Sequence, residues 1–350
     1  MTERSSQWPA SQAMFDGARR LLANTAKRGG RVIVAPDRDV DGLAAGVLTM
    51  RAVERLGGIA IPVLPRKGEH VHVPTMQARL AETAAELLVV LDMGSRAGPI
   101  VRGLPTIVVD HHDAAAQPDV EVFVSAAGHE PVAPTGLLAW ELWRPLVDLA
   151  DLGWLALLAT VADLGDAHPF GVELAAQRYP KTHVREVVSL LNAARRAARY
   201  VPEMALAVLL AAREPADIAK ARVAGVDVLA ACRAEVNAEV ARVSRVPPKV
   251  AGNVALVRFS SPAQIHPLIA TRWTTRLAPK VVIAANDGYL PGRVNFAMRT
   301  ASDVDLLALL RGLPLGAVDG EFANGHPRAT GGSVPPAEFA RVLAALGFPP

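Results

Sequence analysis

A chain of 350 residues suits two domains better than one, and with 51% of it hydrophobic it can bury a sizeable core. Its formal charge of only +3 hints at anionic partners without establishing one, because surface potential depends on where the charges sit. A single cysteine, Cys232, excludes an internal disulfide and fits a reducing cytosol. Residues 1–9 are polar, so no secretory leader is expected, and the longest apolar run, Leu152 to Val161, is too short to span a bilayer.

In chain order, Ser11 to Arg28 reads as an amphipathic helix with Met14, Ala18, Leu21 and Leu22 at helical spacing. Strands and helices then alternate: strand 31–36, helix 43–56, strand 59–64, helix 74–85, strand 87–91, a short helix, and strands 106–109 and 120–124. Such alternation predicts a doubly wound, mainly parallel α/β sheet. Helices 135–149 and 151–161 follow, and the first domain is expected to span 1–191. From Val184 to Arg245 the pattern is helical, with basic residues outnumbering acidic ones. This stretch reads either as a stripe for a polyanion or as a solvated face of connector helices. Pro247-Pro248 closes a helical linker placed at 192–249. A smaller α/β domain is expected over 250–350, with strands 254–259, 281–285 and 294–299, helices 267–277, 303–311 and 335–346, and a cleft facing the first domain.

The chemistry concentrates at strand ends. The run Val32 to Pro36 ends in Asp37-x-Asp39-x-Asp41-Gly42, Leu87 to Leu91 ends in Asp92-x-Gly94, and Thr106 to Val109 ends in Asp110-His111-His112-Asp113. The apolar helix after Leu152 delivers Asp163. One acidic loop residue would be a solvated cap. Three carboxylates at alternate positions after a buried strand repel one another unless a cation sits among them, and the carboxyl end of a parallel sheet is where ligands bind. Asp with His ligands suits manganese better than magnesium, and disfavours a sulfur-rich structural zinc site.

These motifs resemble the four ordered motifs of the DHH phosphoesterase superfamily. The Asp at the first ligand position and the string Thr160-Val161-Ala162-Asp163 are closest to its RecJ-like exonuclease branch. Near the C-terminus, Asn324-Gly325-His326-Pro327-Arg328-Ala329-Thr330-Gly331 is similar to the signature of the DHH-associated substrate domain, departing from it at Asn324. Ile265 to Arg272 is also similar to a RecJ-type segment, more loosely.

The resemblance implies two manganese ions, with magnesium as a substitute. Asp37, Asp39 and Asp92 would hold one ion, and Asp41, Asp92, His111 and Asp163 the other, with Asp92 bridging. It further implies that Asp110 orients His111, that His112 meets the phosphate or the leaving oxygen, and that Gly325 and His326 serve the substrate; Arg299 and Arg328 are candidate phosphate grips. The activity implied is hydrolysis, by water activated between the cations, of short single-stranded DNA or RNA oligonucleotides from the 5′ end to 5′-mononucleotides. Cleavage of cyclic or linear dinucleotides, a nucleoside-bisphosphate phosphatase or pyrophosphatase, and a non-catalytic nucleic-acid-binding protein stand as alternatives. A homodimer is left open. No membrane partner is expected, and a cytoplasmic location is. His70 and His72, like the isolated His129, His168, His183 and His266, read as ordinary surface residues, and Asp166 as a loop carboxylate.

Overall fold

The computed structural model describes residues 8–113, 116–171, 179–315 and 322–348. Contacts divide the chain into two units, Met1–Arg195 with Val201–Ala230, and Arg196–Tyr200 with Ala231–Pro350.

In the first unit, α1 (Gln12–Ala26), β1 (Arg31–Pro36), α2 (Val40–Arg55), β2 (Ile59–Pro62), α3 (Pro74–Glu82), β3 (Leu87–Leu91), β4 (Thr106–Asp110) and β5 (Val122–Ser125) follow one another. They lead to α4 (Thr135–Trp143) and α5 (Gly153–Leu164), then α6 (Lys181–Arg196), α7 (Pro202–Ala211) and α8 (Pro215–Ala219). The five strands form one sheet in the order β2-β1-β3-β4-β5, every pair parallel. Side chains alternate across it. Val32, Val34, Leu87, Val89 and Val109 enter the core with α1, α2, α4 and α5, whereas Ile33, Leu88, Val90 and Val108 pack with Met76 and Leu80 of α3. That two-sided burial is why these strands are continuous apolar runs. Strand order reverses between β1 and β3, which opens a crevice at their carboxyl ends.

The stretch between β3 and β4 carries no helix, contrary to expectation; it runs as bends and turns with one bridge, Gly98↔Pro118. Gly94, Gly98 and Gly103 all have positive φ and Pro99 lacks a donor, so helical continuity is lost four times over. The helix expected over 135–149 stops at Trp143, since Arg144 precedes Pro145.

The second unit contains α9 (Val226–Val243) from Ala231 onward, β6 (Lys249–Ala251), β7 (Val254–Phe259), α10 (His266–Leu277), β8 (Val281–Asn286) and β9 (Val294–Arg299). It continues with α11 (Leu306–Arg311), β10 (Asn324–His326), β11 (Ala329–Val334) and α12 (Pro336–Ala345). Its six-stranded sheet has the order β10-β11-β9-β8-β7-β6 and is antiparallel except between β7 and β8. Ile283, Phe296 and Met298 bury one face under Leu306, Phe339 and Val342. Among the described residues, no helix is long and apolar enough to cross a membrane.

Candidate metal centre

The three alternating carboxylates after β1 occupy three different structural positions. The Asp37 amide donates to Leu91 O at 2.9 Å, which carries the β1–β3 pairing one residue past the strand. Asp39 caps α2, its Oδ1 accepting from Gly42 N at 3.0 Å. Asp41 lies in the first turn of α2 and reaches across to α4, where Oδ2 accepts from Thr135 N at 2.8 Å and Oδ1 from Gly136 N at 2.7 Å. Two helix N-termini therefore favour negative charge at one place. Gly136 is needed for this approach, because a Cβ there would stand 2.5 Å from Ala159 Cβ and 3.1 Å from Asp41 Oδ1.

Asp92 leaves β3 in the left-handed region, φ 67°, with its amide on Val109 O at 3.0 Å and its Oδ1 accepting from Thr135 Oγ1 at 3.0 Å. A non-glycine residue held there costs of the order of 1 kcal/mol and is met mostly where function demands a particular side-chain direction. Asp110 closes β4. Its Oδ1 accepts from the His111 amide at 2.7 Å, the His112 amide at 3.0 Å and His112 Nδ1 at 2.8 Å. The ring that Asp110 orients is thus that of His112, not His111 as the family resemblance implied. The second Asp110 oxygen is buried with no hydrogen-bond partner among the described residues.

His111 sits among the carboxylates. Its Nε2 lies 3.4 Å from Asp92 Oδ1 and 3.8 Å from Asp41 Oδ2, and its Nδ1 3.7 Å from Asp163 Oδ2 on α5. Three sets of donors, each within 4.8 Å, result: Asp37–Asp39–Asp92, Asp41–His111–Asp163, and Asp92–His111–His112. Hard oxygen donors mixed with imidazole, convergent and mutually repelling, fit divalent cations. All six candidate ligands converge, and Asp92 belongs to the first and third sets.

No family model matches the chain. Among curated proteins, the single-stranded-DNA-specific exonuclease RecJ of Thermus thermophilus is 30% identical over 163 residues, which is 41% of this chain and 24% of that protein. RecJ of Dickeya dadantii is 28% identical over 141 residues, again 24% of its length. Among solved structures, a manganese-bound exonuclease RecJ superposes with a TM-score of 0.66 at 20% identity, covering 99% of this chain and 97% of the other. The chain has the fold of RecJ structures. The Thermus thermophilus RecJ structure with Mn2+ matches with a TM-score of 0.70 at 20% identity over 98% of this chain and 56% of its own. The matched stretch is well under two thirds of either curated relative.

Two further side chains stand at the cluster: Thr135, which carried no sequence signal, and Arg195, one of the basic residues of the 184–245 stretch. Thr135 ties Asp92 to the start of α4, and Arg195 in the last turn of α6 brings Nη2 to 3.6 Å from Asp39 Oδ2. His72 also departs from a surface reading. It is partly buried with Nε2 3.0 Å from Gly94 O, and burial, then Arg96, lowers its pKa. In the second unit, Arg299 is partly buried and donates from Nη1 to Met298 O at 2.9 Å, whereas Arg328 is exposed in an ion pair with Asp303 at 2.6 Å. Such an exposed pair contributes little to stability. The Asn324–Thr330 signature forms the β10–β11 hairpin. Gly325 has φ 123°, and a Cβ there would lie 2.4 Å from Ala329 O, so hairpin closure alone requires glycine. The His326 side chain lies outside the described structure; its backbone is in β10.

Burial and neighbouring charges set the electrostatics of the cluster. Burial, then repulsion from Asp163 and Asp39, pushes Asp41 up to about 7. Burial, then Asp41 and Asp39, drives Asp92 well above the usual carboxylate range. Burial opposes charge on Asp39 as well, but Arg195 and the Gly42 amide outweigh it and hold its pKa low. Burial likewise opposes the His112 proton, yet the Asp110 hydrogen bond raises that imidazole to about 9. Folded Asp41 keeps its proton up to about pH 7, while the unfolded chain releases it near 3.8, so stability falls as pH rises through that window. His112 acts in the same direction above it: its contribution is full below its ordinary 6.5 and is lost as pH rises through about 9. Chelator-treated protein should therefore melt several degrees lower at pH 8.5 than at pH 5.5, with Asp41 contributing roughly 2 kcal/mol of the difference at ~1.4 kcal/mol per pKa unit. Mn2+ should raise the melting temperature most at the alkaline end. A metal-free melting temperature that climbs over this range would contradict the charge arrangement.

Proposed function

We propose that this chain is a divalent-cation-dependent phosphodiesterase that hydrolyses short single-stranded oligonucleotides from the 5′ end to 5′-mononucleotides. The observation that carries the reading is the pair of donor sets, Asp37–Asp39–Asp92 and Asp41–His111–Asp163, with Asp92 beside both at the reversal point of a parallel sheet. Two cations in such a pair of sets supply charge for a phosphoryl displacement and make water a better nucleophile near neutral pH. The imidazole in the set favours manganese over magnesium, and the curated relatives that share this stretch are single-stranded-DNA exonucleases.

In this reading residues 1–191 supply the catalytic part, 192–249 the helical linker and 250–350 the substrate part. Asp37, Asp39, Asp41, Asp92, His111 and Asp163 would hold the cations. Water oxygen bonds to phosphorus and releases a proton to solvent, the ester P–O bond breaks, and the departing oxygen takes a proton. His112, with Nδ1 fixed on Asp110 and its pKa raised to about 9, is protonated at neutral pH and suited to give that proton from Nε2. Arg299, Gly325, His326 and Arg328 are assigned to neighbouring nucleotides.

A substrate panel with Mn2+ tests the proposal: linear and cyclic dinucleotides, trimers, and long single strands labelled at either end, in DNA and RNA. The expected result is stepwise release of 5′-mononucleotides starting at the 5′ label. Turnover confined to dinucleotides or to nucleoside bisphosphates would replace the oligonucleotide assignment, and cleavage of none of them would end it.

A further inference from the structure

We infer that Thr135 is a positioning residue of the cation cluster, holding one carboxylate from each of two donor sets in place. This rests on the cation reading of the proposed function. Asp41, of the set Asp41–His111–Asp163, receives the Thr135 amide on Oδ2 at 2.8 Å. Asp92, of the set Asp37–Asp39–Asp92, receives the Thr135 hydroxyl on Oδ1 at 3.0 Å. One carboxylate lies in the first turn of α2 and the other follows β3, and a single residue spans them through two separate groups.

The start of α4 makes this possible. Thr135 opens that helix directly after Pro134 and is fully buried. At the first helical position an amide has no intrahelical acceptor, so it is available to Asp41. The hydroxyl also departs from the usual arrangement. Inside helices, Thr49, Thr160 and Thr274 donate theirs to the carbonyl four residues earlier, at 2.8, 2.7 and 2.8 Å. For Thr135 the carbonyl four residues earlier is that of Pro131, which accepts from Trp8 Nε1 at 2.7 Å, and the hydroxyl turns to Asp92.

Asp92 depends on that hydroxyl more than its neighbours depend on any one donor. Asp39 is held by the Gly42 amide, Asp41 by two amides, and Asp110 by two amides and a ring nitrogen. Among the described residues, the Asp92 carboxylate takes its hydrogen bond from Thr135 alone. His111 Nε2 stands 3.4 Å from the same oxygen, but a nitrogen that ligates a cation carries no proton to give. The terminal torsion of a carboxylate is broad, so without the hydroxyl the group can turn and no longer stays aimed at the cluster. A hydroxyl suits this task because it orients the carboxylate without adding a charge that would repel cations, and it leaves the other oxygen to them.

The test compares wild type with Thr135→Val, which keeps the shape and the amide but removes the hydroxyl, and with Thr135→Ser, which keeps the hydroxyl. Melting curves of stripped protein establish folding; Mn2+ binding to stripped protein and hydrolysis over a Mn2+ series are then measured. The valine variant is expected to need at least tenfold more Mn2+ for half-saturation, and the serine variant to return to within about threefold of wild type. The rate of the valine variant should fall at low Mn2+ and recover in part as Mn2+ is raised. Should the valine variant not fold, Thr135→Ala takes its place in the comparison with serine. Wild-type Mn2+ affinity without the hydroxyl would overturn the inference. A serine variant as weak as valine would assign the effect to methyl packing and overturn it as well. A wild type that binds Mn2+ but hydrolyses no phosphodiester would defeat the proposed function, and the Mn2+ comparison would still judge Thr135. A wild type that binds no Mn2+ would overturn both.

Discussion

Asp92→Asn is expected to abolish hydrolysis, by at least about 1,000-fold, while making the metal-free protein more stable. Asparagine is nearly isosteric and tolerates positive φ, so the backbone at 67° is retained. Its carbonyl oxygen can still accept from Thr135 Oγ1. What disappears is a group that ionises readily in the unfolded chain but not in the fold: Asp92 is 5% exposed, and burial, Asp41 and Asp39 all oppose its ionisation. Asparagine has no such mismatch between the folded and unfolded states, and a rise of a few degrees in melting temperature is expected for a gain of the order of 1 kcal/mol. The same change takes a ligand from the place where the donor sets meet, so Mn2+ binding should weaken at both positions. Retention of more than a few per cent of the wild-type rate would show that Asp92 is not shared between cations. Lost activity with intact binding of two cations would point to another role for it.

Asp110→Asn is expected to lower kcat about 100-fold and to move the alkaline limb of the pH–rate profile to lower pH, with cation binding retained. An asparagine oxygen can accept the same three donors, the two amides and His112 Nδ1, so the turn after β4 should persist. The charge that keeps His112 protonated would be gone. Burial already works against that proton, and the Asp110 hydrogen bond and charge are the chief influences that raise the imidazole to about 9. Without them its pKa falls toward or below the ordinary 6.5, and at pH 8 little imidazolium remains to protonate a leaving oxygen. A profile whose alkaline limb does not move would remove His112 as the acid, and loss of cations would make Asp110 a metal-site residue.

The parallel sheet and its acidic strand ends were legible because short β-branched or leucine-rich runs followed by hard donors carry a local signal. β1 and β3 have the expected limits, and Asp37, Asp39, Asp41, Asp92, His111 and Asp163 converge as their motifs implied. Contacts made across the sequence were not legible. Asp41 meets the Thr135 amide 94 residues on, and Thr135 Oγ1 meets Asp92 across 43. Neither threonine nor arginine announces such a role, and Arg195 was one basic residue in a helical run. The Asp110–His112 pairing was misassigned to His111 because adjacent histidines differ only in ring direction, which the backbone after β4 decides. The β10–β11 hairpin lacks an apolar alternation; glycines at 325, 331 and 332 weaken any strand pattern, and pairing with β9 overrides that weakness.

A single titration tests most directly whether this cluster is a two-cation phosphodiesterase centre. Chelator-stripped protein would receive Mn2+ in steps, with bound cation and oligonucleotide hydrolysis followed on the same sample. The structure of the donor sets predicts two cations per chain and a rate that rises only as the second site fills, with magnesium giving a weaker response. Full activity with one cation bound, or hydrolysis undiminished in chelator, would contradict it.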